Sequence, residues 1–214
     1  MEVRAFTVGM VQENCYLAYR QGDPRAVMID PGDEAHKLLG AVDSLGLSVE
    51  AILITHTHFD HVGAVAPVAE ATGARVWCPE LEVPVLADIM SYVPWPGFGP
   101  FESYQADETV SGGERLELAG FEIDVVPTPG HSPGHVTYSI ESEAALFSGD
   151  VLFQGSVGRT DLPGGDWPTL LESIRTLMDR YPEPTTVYPG HMGVTTLGAE
   201  RASNPFLTEL AADR

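Results

Sequence analysis

Short runs of apolar residues separated by polar turns open the chain and predict β-strands rather than helices. Residues 2–8, 14–19 and 25–29 are runs of this kind. Apolar residues then recur at helical spacing over residues 34–46, and Gly46 is expected to end that helix. The chain therefore begins with three predicted strands followed by one helix.

Strands and helices continue to alternate beyond this first helix. The further predicted strands are residues 51–54, 74–78, 115–118, 121–127, 135–140, 144–148 and 185–188, and the further predicted helices are 62–72, 81–92 and 166–181. Strands precede helices in two halves of similar content. This order favours an α/β fold with two mixed β-sheets packed face to face and helices outside, a four-layer αββα sandwich. With 214 residues the chain is expected to form one domain, residues 1–214.

Residues 93–113 do not follow this pattern. Their first part, residues 93–101, is rich in Pro, Gly and aromatic residues and shows no periodicity. A loop of this length inside a compact domain is often functional, although it can also be a connector that packs its own aromatic side chains. We expect residues 93–104 to form a lid over the polar cluster described below.

The charge balance narrows the choice of partners. The chain has 31 acidic and 11 basic residues, a formal net charge of −20, which disfavours nucleic acid or an anionic membrane as a partner. Cys15 and Cys78 lie in strand-like runs and are predicted to be buried free thiols. Neither a signal-peptide pattern nor a membrane-spanning apolar run is present, so we expect a cytoplasmic protein. We also expect it to be a monomer or a small homo-oligomer.

The densest chemical signal lies between the predicted strand 51–54 and the helix that follows it. Within six residues the loop contains His56, His58, Asp60 and His61. A short loop leaving a buried strand has too little reach for these side chains to spread separately into water. Imidazole and carboxylate groups at this density are typical of a metal site.

Three later predicted strands each end in another residue of a metal-ligand type. These residues are His131, Asp150 and His191, and a glycine immediately precedes each of them. Glycine allows the backbone to turn sharply and to approach a site closely. The two remaining histidines, His36 on a predicted helix and His135 at the start of a strand, do not share this position.

These motifs together resemble the metallo-β-lactamase superfamily, in order and over nearly the whole chain. Carried over position by position, the resemblance implies that His56, His58 and His131 bind one metal, that Asp60, His61 and His191 bind a second, and that Asp150 bridges both. Five imidazoles and two carboxylates suit two zinc ions best, with iron or manganese as alternatives.

Within the superfamily the chain resembles the glyoxalase II branch, and its length is similar to that of the short bacterial relatives. This resemblance implies hydrolysis of a small thioester such as S-lactoylglutathione by a metal-bridging hydroxide. Asp60 would orient the hydroxide, and Asp150 would hold both metals. Tyr138 and Arg159 correspond to residues that contact the thiol part of the substrate.

Two other interpretations remain open from the sequence. Residues 158–166 also resemble persulfide dioxygenases, in which one iron is bound by two histidines and an aspartate. His58 or His56, together with His131 and Asp150, would supply that set. The third interpretation is a non-catalytic module stabilised by metal, although structural zinc sites are closed by four protein ligands.

Overall fold

The computed structural model describes residues 1–207, which form fourteen β-strands and seven α-helices. The strands are β1 (Glu2–Val8), β2 (Glu13–Tyr19), β3 (Arg25–Ile29), β4 (Ser48–Leu53), β5 (Arg75–Pro79), β6 (Glu108–Val110), β7 (Arg115–Leu118), β8 (Phe121–Pro127), β9 (Val136–Ile140), β10 (Ala145–Gly149), β11 (Leu152–Phe153), β12 (Ser156–Val157), β13 (Thr186–Pro189) and β14 (Thr195–Thr196). The helices are α1 (Ala35–Leu45), α2 (Phe59–Val62), α3 (Val65–Thr72), α4 (Val83–Leu86), α5 (Ile89–Tyr92), α6 (Trp167–Arg180) and α7 (Leu197–Ser203).

Twelve of these strands form two six-stranded mixed sheets. The first sheet has the order β1-β2-β3-β4-β5-β6, antiparallel from β1 to β3 and parallel from β3 to β6. The second has the order β14-β13-β10-β9-β8-β7, in which only β10 and β13 are parallel neighbours. Strands β11 and β12 form a separate small hairpin.

Three apolar layers hold the two sheets and the helices together. The central layer lies between the sheets, where residues such as Leu53 of β4 pack with Phe121 and Phe147 of the second sheet. Leu38 of α1 belongs to the layer outside the first sheet. Ile174 of α6 belongs to the layer outside the second sheet. The predicted four-layer αββα sandwich is confirmed.

Local signals explain the two long helices. Helix α1 ends at Gly46, whose left-handed backbone (φ 64°) allows its N–H to bond to the carbonyl groups of Val42 and Asp43. Helix α6 begins at Asp166, whose side chain accepts a hydrogen bond from the backbone N–H of Thr169. Both boundaries lie within one or two residues of the predicted ones.

The predicted helix 81–92 is wrong as a single element. The chain instead forms a 3₁₀ turn followed by the two short helices α4 and α5. The backbone N–H of Ile89 donates to Ser103 Oγ (3.1 Å), and the carbonyl of Leu86 accepts from the N–H of Tyr104 (3.0 Å). Bonds to the returning loop therefore replace the helical bonds at the break, which local periodicity does not reveal.

Smaller departures occur in three other places. The predicted helix 62–72 is divided into α2 and α3 around Gly63 and Ala64, and the predicted loop 93–113 contains the short strand β6. Strands β11, β12 and β14 and helix α7 were not predicted. Among residues 1–207, no helix has the length and apolar character needed to cross a membrane.

Candidate metal centre

Parallel strand pairs bring the predicted ligand segments to one end of the two sheets. Strand β4 of the first sheet ends at Leu53, and the loop that follows contains the His-x-His-x-Asp-His motif. In the second sheet the parallel strands β10 and β13 end side by side, so Asp150 and His191 follow from adjacent positions. The backbone N–H of Asn14 donates to the carbonyl of Gly190 (2.7 Å) and joins the two sheets at this end.

The first cluster consists of His56, His58 and His131. The Nε2 atom of His131 lies 3.2 Å from Nε2 of His56 and 2.8 Å from Nδ1 of His58. These two partners of His131, His56 Nε2 and His58 Nδ1, are themselves 3.1 Å apart. Tetrahedral zinc with bonds of about 2.0–2.1 Å would separate ligand nitrogens by about 3.3 Å, close to these distances.

The Nδ1 atoms of His56 and His131 form hydrogen bonds with oxygen atoms outside the cluster. The His131 Nδ1–H donates to the carbonyl of Arg159 (2.7 Å). Thr55 Oγ1 donates its proton to Asp30 (2.6 Å), so the His56 Nδ1–H donates to Thr55 Oγ1 (3.1 Å). In the neutral tautomers that these bonds select, the Nε2 atoms of His56 and His131 carry no proton and point at each other with their lone pairs. Such a contact is repulsive unless a cation lies between the rings.

The second cluster consists of Asp60, His61 and His191. The Oδ2 atom of Asp60 lies 3.3 Å from Nε2 of His191 and 3.8 Å from Nε2 of His61. The His61 Nδ1–H donates to Asp30 (3.0 Å), and the His191 Nδ1–H donates to the carbonyl of Gln12 (3.3 Å). Both rings therefore direct Nε2 at the cluster. Burial lowers the pKa of each ring, but Asp150 and Asp60 outweigh it and raise the pKa of both, that of His61 well above its ordinary value.

Asp150 lies between the two clusters. Its Oδ1 is 3.3 Å from His61 Nε2, and its Oδ2 is 3.4 Å from His131 Nε2 and 3.6 Å from His191 Nε2. The Asp150 Oδ1 and His61 Nε2 atoms are buried and have no hydrogen-bond partner. Buried polar atoms without partners are costly, and a bound cation would satisfy both of these.

All three glycines that precede the ligand-type residues are required by close packing, and at Gly149 and Gly190 the packed groups belong to the site or its supports. A side chain at Gly190 would collide with the Asp150 carboxylate and the His61 ring. Gly149 has a left-handed backbone (φ 46°), and a side chain there would collide with Thr55 and His135. The sequence argument that glycine permits close approach holds at both positions.

Burial and neighbouring charges place His56, His58 and Asp150 in the forms that bind metal, whereas a cation at the second cluster would displace protons from His61 and His191. Burial lowers the pKa of His56 well below its ordinary value and that of His58 to about 4, so both rings are neutral near pH 7. Burial alone would raise the pKa of Asp150, but the adjacent His61 outweighs it and keeps that pKa below its usual range. Neutral imidazole and ionised carboxylate are the ligand forms that metals require.

The two clusters and Asp150 together form a cage of side chains, which is open to solvent at His58, Asp60 and His191. The side chains of His56, His61 and His131 are at most 2% exposed, whereas those of Asp60 and His191 are 15% and 22% exposed. A small molecule can therefore approach through this opening. Seven side chains can hold two cations in this arrangement, so the residues present fit a binuclear metal centre.

Sequence reasoning missed the residues that support these side chains from outside. Asp30 accepts hydrogen bonds from His61 and from the N–H and hydroxyl of Thr55. His135 is not a member of either cluster: its Nε2 accepts the backbone N–H of Asp150 (3.1 Å), and its Nδ1 lies 3.0 Å from Thr128 Oγ1. Asp30 was detectable, because it directly follows the predicted strand 25–29, as other ligand-type residues follow the ends of their strands.

The two predicted substrate-contact residues differ in outcome. Tyr138 is wrong as a substrate contact, because its side chain is completely buried between the sheets and its hydroxyl donates to the carbonyl of Ile54 (2.9 Å). Arg159 lies beside the first cluster through its carbonyl, and its half-exposed guanidinium forms two hydrogen bonds to Asp161 and lies 5.8 Å from the ring centre of Trp95.

The fold and the two clusters define a known protein family. The family model of the metallo-beta-lactamase superfamily matches residues 8–191. The chain belongs to that superfamily.

Relatives within the superfamily are similar over almost their full length. The hydroxyacylglutathione hydrolase GloC of Haemophilus influenzae is 35% identical over 209 residues, which cover 97% of this chain and 98% of that protein. The crystal structure of the BLEG-1 B3 metallo-beta-lactamase matches with a TM-score of 0.91 at 41% identity, covering 97% of this chain and 100% of the other. The structure of TTHA1623 in a di-iron-bound form matches with a TM-score of 0.83 at 43% identity, covering 95% of this chain and 100% of the other.

Proposed function

We propose that this protein is a binuclear metallohydrolase that cleaves a small thioester such as S-lactoylglutathione. The observation that carries the proposal is the set of ring nitrogens with lone pairs aimed at one another, next to a buried carboxylate oxygen without a partner. The similarity to a hydroxyacylglutathione hydrolase supports the choice of a thioester. Zinc is the first choice for both sites, and the di-iron form of a similar protein makes iron the principal alternative.

The side chains of the cage would have separate roles in hydrolysis. His56, His58 and His131 would hold one cation, Asp60, His61 and His191 the other, and Asp150 both. When bound, the two cations supply a nucleophilic hydroxide at neutral pH and Lewis-acid polarisation of the thioester carbonyl. Asp60, which is partly exposed at the opening of the cage, would accept a hydrogen bond from the attacking oxygen and orient it. No serine or cysteine nucleophile is then needed.

The groups around the opening would position the substrate. Arg159 would pair with a carboxylate of the thiol portion, since its guanidinium can form two parallel hydrogen bonds with such a group. Trp95 lies beside Arg159 and belongs to residues 93–104, the segment expected to form a lid. Both residues would act on binding rather than on the reacting bond.

The test combines metal analysis with a comparison of substrates. Protein purified without added metal is expected to contain two metal ions per chain and to hydrolyse S-lactoylglutathione. A single iron together with oxygen consumption on glutathione persulfide would instead identify a dioxygenase. Protein that is folded, contains metal and acts on none of the substrates would support the non-catalytic interpretation.

Hydrolysis of β-lactams is the second candidate function, because the BLEG-1 B3 metallo-beta-lactamase matches the fold so closely. Nitrocefin hydrolysis by the same metal-loaded preparation tests it. We expect kcat/KM for the thioester to exceed that for nitrocefin. The reverse order would overturn the thioesterase proposal and leave the binuclear centre in place.

A further inference from the structure

Glu82 is a buried carboxylate outside both clusters. It lies in the 3₁₀ turn after β5 and is 5% exposed. Its Oε2 accepts hydrogen bonds from the backbone N–H (3.2 Å) and the hydroxyl (2.7 Å) of Thr57. Its Oε1 accepts from the Ser132 hydroxyl (2.7 Å) and from the backbone N–H of Gly134 (2.8 Å). All four partners are donors, so each carboxylate oxygen accepts two hydrogen bonds.

These partners belong to the two segments that form the first cluster. Thr57 lies between His56 and His58 in the chain, and Ser132 directly follows His131. Glu82 therefore joins the loop after β4 to the loop after β8. In a buried environment such charge-assisted hydrogen bonds are strong and rigid.

The second cluster is held by different groups. Asp30 accepts the hydrogen bond from His61, and the carbonyl of Gln12 accepts that from His191. Neither of these groups is bonded to Glu82. A change at Glu82 should therefore loosen one cluster and leave the ligands of the other in place.

We infer that Glu82 is a positioning residue that sets the metal affinity of the first cluster by fixing His131 against His56 and His58. The inference rests on the proposed metal centre. Removing a group that supports ligands from outside typically weakens metal binding by 10- to 100-fold. We expect an effect of that size at the first cluster and little change at the second.

Glu82→Gln is the main test variant, because an amide NH₂ would face donors where an acceptor is required. Thr57→Val is a milder variant that removes one hydroxyl donor, and Thr57→Ser is its matched control, since it keeps that hydroxyl. Glu200→Gln controls for the loss of a buried carboxylate elsewhere. Glu200 is 2% exposed and accepts from Thr195 Oγ1, the Gly155 N–H and Asn204 Nδ2, none of which bonds to Glu82.

The measurement is cobalt binding in competition with a chelator, followed by absorption of the bound ion. Each variant is prepared in the wild-type chain and in a His191→Ala background, which weakens the second cluster and makes the first one dominate. Glu82→Gln should bind cobalt 10- to 100-fold more weakly in that background. Thr57→Val should bind about 2- to 10-fold more weakly. Thr57→Ser and Glu200→Gln should match their parent.

The outcomes separate this inference from the proposed function. Unchanged cobalt affinity in Glu82→Gln, or an equal loss in Glu200→Gln, would overturn the role of Glu82 and leave the metal centre intact. If Glu82→Gln fails to fold, Thr57→Val against Thr57→Ser decides, and equal affinity of that pair would overturn the inference. A folded wild-type chain that binds no cobalt would overturn the proposed function itself.

Discussion

The ring of His131 is fixed by the backbone of Arg159, because its Nδ1–H donates to the Arg159 carbonyl over 2.7 Å. The same residue extends its guanidinium to Asp161 and towards the ring of Trp95. One residue thus connects a cage histidine to the residues around the opening. Substituting the Arg159 side chain should leave this carbonyl in place, so effects on substrate binding and on the cage can be separated.

Arg159→Ala should lower kcat/KM for a glutathione thioester about tenfold, or about 1.4 kcal/mol. This lies near the lower end of the range for a charge-assisted hydrogen bond, because the guanidinium is half exposed and already paired with Asp161. An uncharged thioester should react at nearly the wild-type rate. Steady-state kinetics with both substrates measure the difference.

Asp161→Asn is the counterpart of that variant. It removes the carboxylate that competes for the guanidinium, so KM for the anionic thioester should fall while kcat stays the same. Equal losses on charged and neutral substrates in Arg159→Ala would show instead that the residue only holds its own loop.

Asp150→Asn should reduce thioester hydrolysis by more than the 10- to 100-fold typical of outer supporting groups, because Asp150 faces both clusters directly. The amide keeps the volume of the side chain but loses its charge, so the fold should remain. Metal content, activity and circular dichroism test this together. Asp124→Asn is a matched control, since that carboxylate is also nearly buried but pairs with the partly exposed Arg115 and Arg180 and belongs to neither cluster. Full activity in Asp150→Asn would refute the metal assignment.

Replacing Trp95 and Phe98 together by Ala should raise KM more than it lowers kcat. Both rings pack against Phe59, which lies between His58 and Asp60, with ring centres 6.3 and 4.8 Å from that of Phe59. The loop therefore lies against the segment that carries the motif. Phe206→Ala, which removes an exposed aromatic ring in contact with Trp167, is the control. An unchanged KM across several thioesters would show that residues 93–104 are a connector and do not contact the substrate.

The sequence was informative where a strand pattern ended in a residue with ligand chemistry. His131, Asp150 and His191 each follow a strand and a glycine, and topology brings strand ends together. The supporting residues carry no such signal. Glu82 lies 25 residues from Thr57 and 50 from Ser132, and only the folded chain brings it between them.

Tyr138 shows a second limit of sequence reasoning. All five residues of β9 are buried, because the second sheet is covered on both faces. A strand of this kind has no polar face, so alternation does not reveal which side chains point towards the site. The family resemblance predicted that Tyr138 contacts the substrate, and the burial of its side chain between the sheets contradicts that prediction.

Cys15 and Cys78 should resist alkylation by iodoacetamide in the folded protein even at pH 9. Both thiols are free and buried, as predicted, and burial raises the pKa of Cys78 and that of Cys15 well above their ordinary values. Only the thiolate reacts, so the raised pKa of each thiol leaves very little of the reactive form at pH 9. Mass spectrometry should find both cysteines labelled in guanidinium chloride and neither without it. Rapid labelling of the native protein would contradict this packing.

Tyr138→Phe separates the packing role of this tyrosine from the substrate contact that the resemblance implied. The hydroxyl is buried and donates to the carbonyl of Ile54, the residue that follows β4 and precedes the loop of the motif. Removing a buried donor costs about 1–3 kcal/mol, so the free energy of unfolding should fall by that amount in urea denaturation. KM for the thioester should not change, because the ring lies between the sheets and is not exposed to the cage opening. A raised KM with unchanged stability would show that Tyr138 contacts the substrate and would refute its placement between the sheets.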